Sequence, residues 1–337
     1  MITTRTRAQN RRGSILIAVL WSLFFLAMLA VAVNSYVRPQ LELSGKLLGR
    51  TKMYYLARAG VERAILEIEN DITPDYDSLY DSWSVNDEAF NDVVLGGGTF
   101  SAVKSSPAEG AGQLYGLTDE ESKININKAP QYVLKNLFEK EAGLGADEAG
   151  AIADCILDWV DQDDSLHKDG KESDYYEFLS EPYPCKNGYF EAPEELLLVS
   201  GMTREIFDKV KYLITIYGNG TVNVNTAGAR VLTALGLSEE AASQIISFRE
   251  AGSSESAGEV PNNVFTDASS IATVLSNAGA GAGSDAGDLA RASAMLGVKS
   301  DSFRGVIKGA WAREGRAQDI TFVYDRVDKL IKYWREE

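Results

Sequence analysis

The sequence predicts an α+β protein: a long N-terminal helix, half of it in a membrane, packed on an antiparallel sheet into which a large all-α domain is inserted. Three observations predict it. A charge-free apolar run, residues 14–33, passes directly into an amphipathic helical pattern. Short alternating segments at residues 99–127 are matched by others at 302–326. Between them the period becomes helical, and one fifteen-residue pattern occurs twice.

The N-terminus sets the compartment. Residues 1–13 carry Arg5, Arg7, Arg11 and Arg12 with no acid, and end at Gly13. The twenty apolar positions after them are enough, at 1.5 Å per residue, to cross a hydrocarbon layer of about 30 Å. Arginines before the span hold that end in the cytoplasm, so the chain beyond about Asn34 faces outward. A cleaved secretory signal would have an apolar stretch of only about 7–15 residues and a small-residue cleavage site. The helical pattern continues instead: Leu47, Tyr54, Val61, Ile65 and Ile68 fall on one face, among Lys46, Arg50, Arg58, Glu62 and Glu67. Pro39 interrupts the pattern and removes one backbone bond.

These residues resemble the pilins. A basic leader ending in Arg-Arg-Gly before an apolar run is similar to a class III signal cut by prepilin peptidase between Gly13 and Ser14. The resemblance implies an N-methylated Ser14. Loss of the leader's four arginines would take the formal charge from −16 to −20. Most pilins carry a glutamate at the fifth mature position, which here is Ala18. Such a carboxylate neutralises a neighbouring N-terminal amine inside the membrane. A subunit with nothing above it needs no such partner, as in the K-type minor pseudopilins of type II secretion.

Further along, Gly96-Gly97-Gly98 precedes a strand-like Thr99–Val103, and 113–117 and 123–127 read as two more strands. Lys123-Ile-Asn-Ile-Asn-Lys-Ala then recurs as Thr221-Val-Asn-Val-Asn-Thr-Ala, each copy leading into helix that ends near Trp159 and Phe248. Asn127 and Asn225 are suited to cap those helices. Pro193–Thr203 leads into a further helical segment, 204–217. The units resemble helix-hairpin-helix motifs, a family that includes DNA-binding proteins. Their turns, however, are flanked by Glu141, Asp147, Glu148, Glu239 and Glu240, where phosphate binding requires cations. The expectation is therefore packing units and no nucleic acid. Residues 251–294 read as a Gly/Ala/Ser-rich loop, 302–311 and 318–326 as a closing hairpin, and 327–334 as a short terminal helix or tail.

The densest chemistry is the acidic run Asp158–Asp174. Counted from Asp161 it places oxygen side chains at five EF-hand positions, but Leu166 stands where the sharp turn demands glycine, and Lys168 where an apolar residue belongs. An EF-hand is excluded, whereas a calcium site of another shape would relieve the repulsion of so many carboxylates. The K-type family carries a similar Asp-Trp-hydrophobic-Asp-x-Asp run, a Glu before a Tyr, and Pro-Tyr-x-x-Asn, and binds calcium in this region. Asp161, Asp163, Glu172, Tyr176, Pro182, Tyr183 and Asn187 match that pattern; Asp174 is added on spacing alone. The expected calcium ligands are Asp161, Asp163, Glu172 and Asp174. Cys155 and Cys185 flank the loop. In a periplasmic domain they can form a disulfide, which would contribute about 3–4 kcal/mol on closing roughly thirty residues; the alternative is two reduced core thiols. One histidine and two distant cysteines provide no zinc spacing.

No nucleophile–base pair or phosphate loop stands out, so an enzyme is not expected. The resemblance to the K-type family, general secretion pathway protein K, implies this organisation: leader 1–13, membrane segment 14–33, pilin-like residues 34–127, helical insertion 128–220, and pilin-like residues 221–337. It also implies a single-pass inner-membrane protein with a periplasmic head that caps the type II pseudopilus tip. Its partners would be other minor pseudopilins and prepilin peptidase, with contact to secreted substrates left open. A type IV minor pilin is the alternative within the class.

Overall fold

The computed structural model describes residues 12–104, 113–251, 263–267, 269–271, 291–311 and 317–337. Helix α1 runs from Arg12 to Glu69 as one element through Pro39. From Ile15 to Leu48 its side chains are exposed. Met53, Ala57, Val61, Ala64 and Ile68 are then buried in turn, at the three- and four-residue spacing of one helix face. The amphipathic pattern therefore begins to act only where a sheet is present. Leu47, expected on the buried face, is 58% exposed because it lies below that sheet.

After α1 the chain passes through a polar segment to the one-turn helix α2 (Asp87–Phe90), capped by Asn86, whose side chain accepts the Ala89 amide at 3.0 Å. Strands β1 (Val93–Leu95) and β2 (Gly98–Lys104) form a hairpin, with Gly96 and Gly97 at positive φ in its turn. Short strands β3 (Leu114–Tyr115) and β4 (Thr118–Asp119) come next. The chain then leaves the sheet through a 3₁₀ turn, Glu120–Ser122.

Beyond that turn the chain forms two similar units. In the first, β5 (Ile124–Asn125) leads to α3 (Gln131–Leu137), a π-turn, α4 (Ala146–Val160), the short α5 (Ser173–Tyr176) and α6 (Arg204–Val210), and closes on β6 (Ile214–Thr215), parallel to β5. In the second, β7 (Val222–Asn223) leads to α7 (Ala229–Ala234) and α8 (Glu239–Ala251) and closes on β8 (Leu296–Gly297), parallel to β7. The chain re-enters the sheet as β9 (Ser302–Trp311), β10 (Ala317–Asp325) and β11 (Leu330–Glu336). The sheet is antiparallel in the order β1-β2-β9-β10-β11, with β3 on β2 and β4 on β9.

Two hydrophobic cores result. One joins α1 to the sheet through Ala57, Val61, Ile68, Phe100, Phe303, Ile307 and Phe322. Close approach there depends on absent side chains: a Cβ on Gly309 would stand 2.1 Å from the Met53 carbonyl oxygen. The other core runs from Ile124 to Leu296 through both helical units. It is continuous across residue 220, where the sequence suggested the helical insertion ends; α7 and α8 belong to the same helical body.

Three further expectations change. Asn127 and Asn225 do not cap helices; Pro130 and Gly228 occupy those positions. Instead each asparagine grips the backbone of a distant phenylalanine. Asn127 accepts from the Phe190 amide at 2.7 Å and donates to its carbonyl at 3.1 Å; Asn225 makes the same pair with Phe265, both at 2.9 Å. The segment 204–217 is helical only to Val210, because Ile214 and Thr215 are drawn into pairing with β5. Residues 330–336 are a strand rather than a helix, since a turn with Lys329 at φ +55° brings them onto β10. Of the Gly/Ala/Ser-rich loop, 252–262, 268 and 272–290 lie outside the described residues, as do residues 1–11 of the leader.

Candidate metal centre and anchor helix

Helix α4 builds the first wall of the acidic site. Asp154 and Asp158 are one turn apart on it, and Asp161 stands directly at its C-cap. The loop beyond folds back on Asp158, whose Oδ1 accepts the His167 amide at 3.0 Å and lies 2.5 Å from His167 Nδ1. Asp154 accepts the Asp169 amide at 3.2 Å. Gly170 fits because it has no side chain: a Cβ would stand 1.8 Å from Asp158 Oδ2. Glu172, 5% exposed, lies at the start of α5. Asn187, at φ +46°, donates to Asp164 at 3.2 Å. An aromatic layer of Trp159, Tyr176, Tyr183 and Phe190 lies against the group, with ring centroids 5.2–6.3 Å apart.

The electrostatics of the group are unfavourable as it stands. Asp158 Oδ2, Asp161 Oδ1, both Glu172 oxygens and Asn187 Oδ1 are buried without a hydrogen-bond partner. Burial, followed by the charges of Asp158, Asp161 and Asp164, pushes the Glu172 carboxyl up to about 7. Burial and the neighbouring Asp163 and Asp158 also raise Asp161. Ligand atoms of Asp158, Asp161 and His167 lie within 4.8 Å of one another. An all-oxygen set of carboxylates and a side-chain amide is the donor chemistry of calcium, and orphaned acceptors are what such an ion would satisfy. Among the residues present, Asp158, Asp161, Glu172 and Asn187 fit that ion.

The structure thus brings together two of the four expected ligands. Asp163 is exposed, with its carboxylate accepting the Ser165 amide at 2.8 Å, and Asp174 is exposed on α5. Asp158 was not among the residues expected there, although its spacing from Asp161, one turn along a helix end, is visible in the run. Both cysteines are buried free thiols, so the expected disulfide is not formed. Cys155 Sγ faces the Asp169 carbonyl and Cys185 Sγ that of Asp158. Burial raises both thiols to about 11, which leaves them poor metal ligands.

At the other end, Gly13 and Ser14 lie in the first turn of α1. One helix among the described residues, from Ile15, is long and apolar enough to cross a membrane. A helix apolar and exposed in its first half and packed on an antiparallel sheet in its second is the architecture of the pilin-like proteins. Within that class the chain belongs to the type II secretion system protein K family: profiles described as type II secretion system (T2SS), protein K match residues 113–219 and 222–299, together over half of the chain. The two matches divide where the two helical units divide. No curated protein matches the chain. Among solved structures, a chain from the crystal structure of the GspK-GspI-GspJ complex from the enterotoxigenic Escherichia coli type 2 secretion system shares the fold, with a TM-score of 0.62 at 18% identity, covering 89% of this chain and 99% of that one.

Proposed function

We propose that this minor pseudopilin caps the tip of the type II secretion pseudopilus and helps nucleate its assembly with other minor pseudopilins. The observation that supports this reading is where the helical body is mounted. It leaves and re-enters the sheet beside the end of α1 remote from the apolar half: Tyr324 at that end of β10 bonds Glu69, and the Asp77 amide bonds Val298 O at 2.8 Å. Trp311, at the other end of β9, lies beneath Lys52. A mass as large as two helical units on the distal end would leave no room for another subunit to stack above. Ala18, in place of the usual glutamate, fits a subunit with no neighbour above it.

In this reading prepilin peptidase cuts between Gly13 and Ser14, Ser14 is N-methylated, and α1 anchors the protein once in the inner membrane with the head in the periplasm. Calcium, held by Asp158, Asp161, Glu172 and Asn187, would neutralise the acidic loop and fix its fold. Gold labelling of a tagged chain on assembled fibres tests the cap: label is expected at fibre ends alone, and label along the shaft would rule it out. Mass spectrometry after co-expression with prepilin peptidase is expected to return N-methylated Ser14 as the first residue.

A further inference from the structure

The insertion is tied to the sheet by two chain crossings, residues 119–124 outward and 296–302 on return, and a buried pair of carboxyl groups lies between them. Asp119 is 2% exposed and Glu121 1%. Their surroundings differ. Asp119 collects donors: Thr226 Oγ1 at 2.5 Å, Ser300 Oγ at 2.7 Å, Asn223 Nδ2 at 3.2 Å and the Glu121 amide at 2.8 Å. Glu121 accepts the Ser302 amide at 3.1 Å through Oε2, while Oε1 receives no donor. Gly218, at φ +85°, closes over that oxygen so tightly that a Cβ would stand 2.2 Å away. The Glu121 amide bond to Asp119 keeps the two carboxyl groups two residues apart on one buried turn, where two charges together are costly.

Among the described residues, the cations near the junction are engaged elsewhere and do not offset a second buried charge. On the same turn, Glu120 takes Lys123 and Arg304. Arg326 is committed to Asp77, Asp71 and the Ser300 carbonyl. Lys104, facing from β2, donates to Ser84. Asp77 and Asp301 add negative charge from the packed segments, and Tyr217 lies beside Glu120 and Arg304.

We infer that Glu121 is the neutral member of this pair and that its proton latches the helical body to the sheet at the double crossing. Asp119 reaches the second helical unit through Asn223 and Thr226, whereas Glu121 holds the first residue of β9. Deprotonation would place two adjacent charges in a buried junction and force it open. Burial and the Asp119 charge hold the Glu121 carboxyl well above its usual range. With the folded value above the unfolded one, the stabilisation is complete below the ordinary carboxyl range and is lost as pH rises through the folded value. The latch therefore releases on the alkaline side.

The test uses the full chain in detergent micelles. Infrared spectra at pH 6 should show protonated-carboxyl intensity that falls by one group in Glu121→Gln, a neutral side chain of the same shape. Hydrogen exchange at 119–124 and 298–302, corrected for its intrinsic pH dependence, should rise in the wild type by up to about tenfold per pH unit above the titration. It should stay flat in Glu121→Gln. Asp119→Asn, which removes the repelling charge, should lower the value at which Glu121 titrates and so move a weakened response to lower pH, or abolish it. Unchanged carboxyl intensity in Glu121→Gln, or an unaltered pH response in both variants, would overturn the latch.

Discussion

Glu120 stands one residue from the latch and behaves in the opposite way. Burial alone would raise its carboxyl, but Lys123 at 2.7 Å, Arg304 at 2.6 Å and the Thr215 hydroxyl outweigh it and hold the group at about 2. With the folded value below the unfolded one, its contribution is complete above the usual carboxyl range and is lost as pH falls through about 2. Glu120→Gln should cost about 3–5 kcal/mol at pH 7, because two cations lose their partner in a buried site, and should flatten the acid limb of unfolding; a loss below about 1 kcal/mol would contradict the pairing. At the acidic loop, calcium is expected to raise the melting temperature of the full chain in detergent and a chelator to lower it. Asp161→Ala should remove most of that difference. Gly170→Ala, which forces Asp158 aside, should weaken the calcium response as well as stability. Composition pointed to the loop, but Asp158 and Asn187 separated from Asp163 and Asp174 only once the chain had folded back on α4.

Among elements, the repeat carries the clearest lesson. Its two copies are plain in the sequence, and so is the helical content downstream of each. The role of its second asparagine is not, because a capping residue and a tertiary clamp use the same side-chain atoms and differ only in what lies opposite. Asn225→Ala should leave the Phe265 amide and carbonyl without partners inside the second unit, at a cost of about 2–4 kcal/mol. Asn127→Ala should act similarly through Phe190, and denaturant unfolding of the two variants measures both. The contact of α1 with β9 predicts a different failure. Gly309→Val would push a branched side chain into the Met53 carbonyl, so the head should lose about 3 kcal/mol or fail to fold. The last strand, β11, is hidden in the sequence because its alternation is weak and most of its residues are exposed; pairing to β10, rather than its own pattern, makes it a strand.

For the whole molecule, the helical body is the largest addition to the pilin-like helix and sheet. Two helical units sharing one core are mounted at the end of the sheet remote from the apolar half of α1, and in the proposed cap they occupy the end on which another subunit would stack. If α1 is processed and assembled as proposed, Ala18→Glu should be tolerated for leader cleavage, because the proposal gives that position a part in assembly and none in the peptidase step; strict loss of cleavage, read by mass spectrometry, would contradict it. The sequence by itself determined the apolar first half of α1, the class of fold and the internal repeat, because each is written as a run, a period or a repeat along the chain. Only the tertiary structure decided that the helical core continues to Leu296, which acidic residues come together, that the cysteines are buried free thiols, and that Asp119 and Glu121 are both buried at the junction. Those features join residues tens of positions apart or bury charge selectively, and both depend on which surfaces meet when the chain closes.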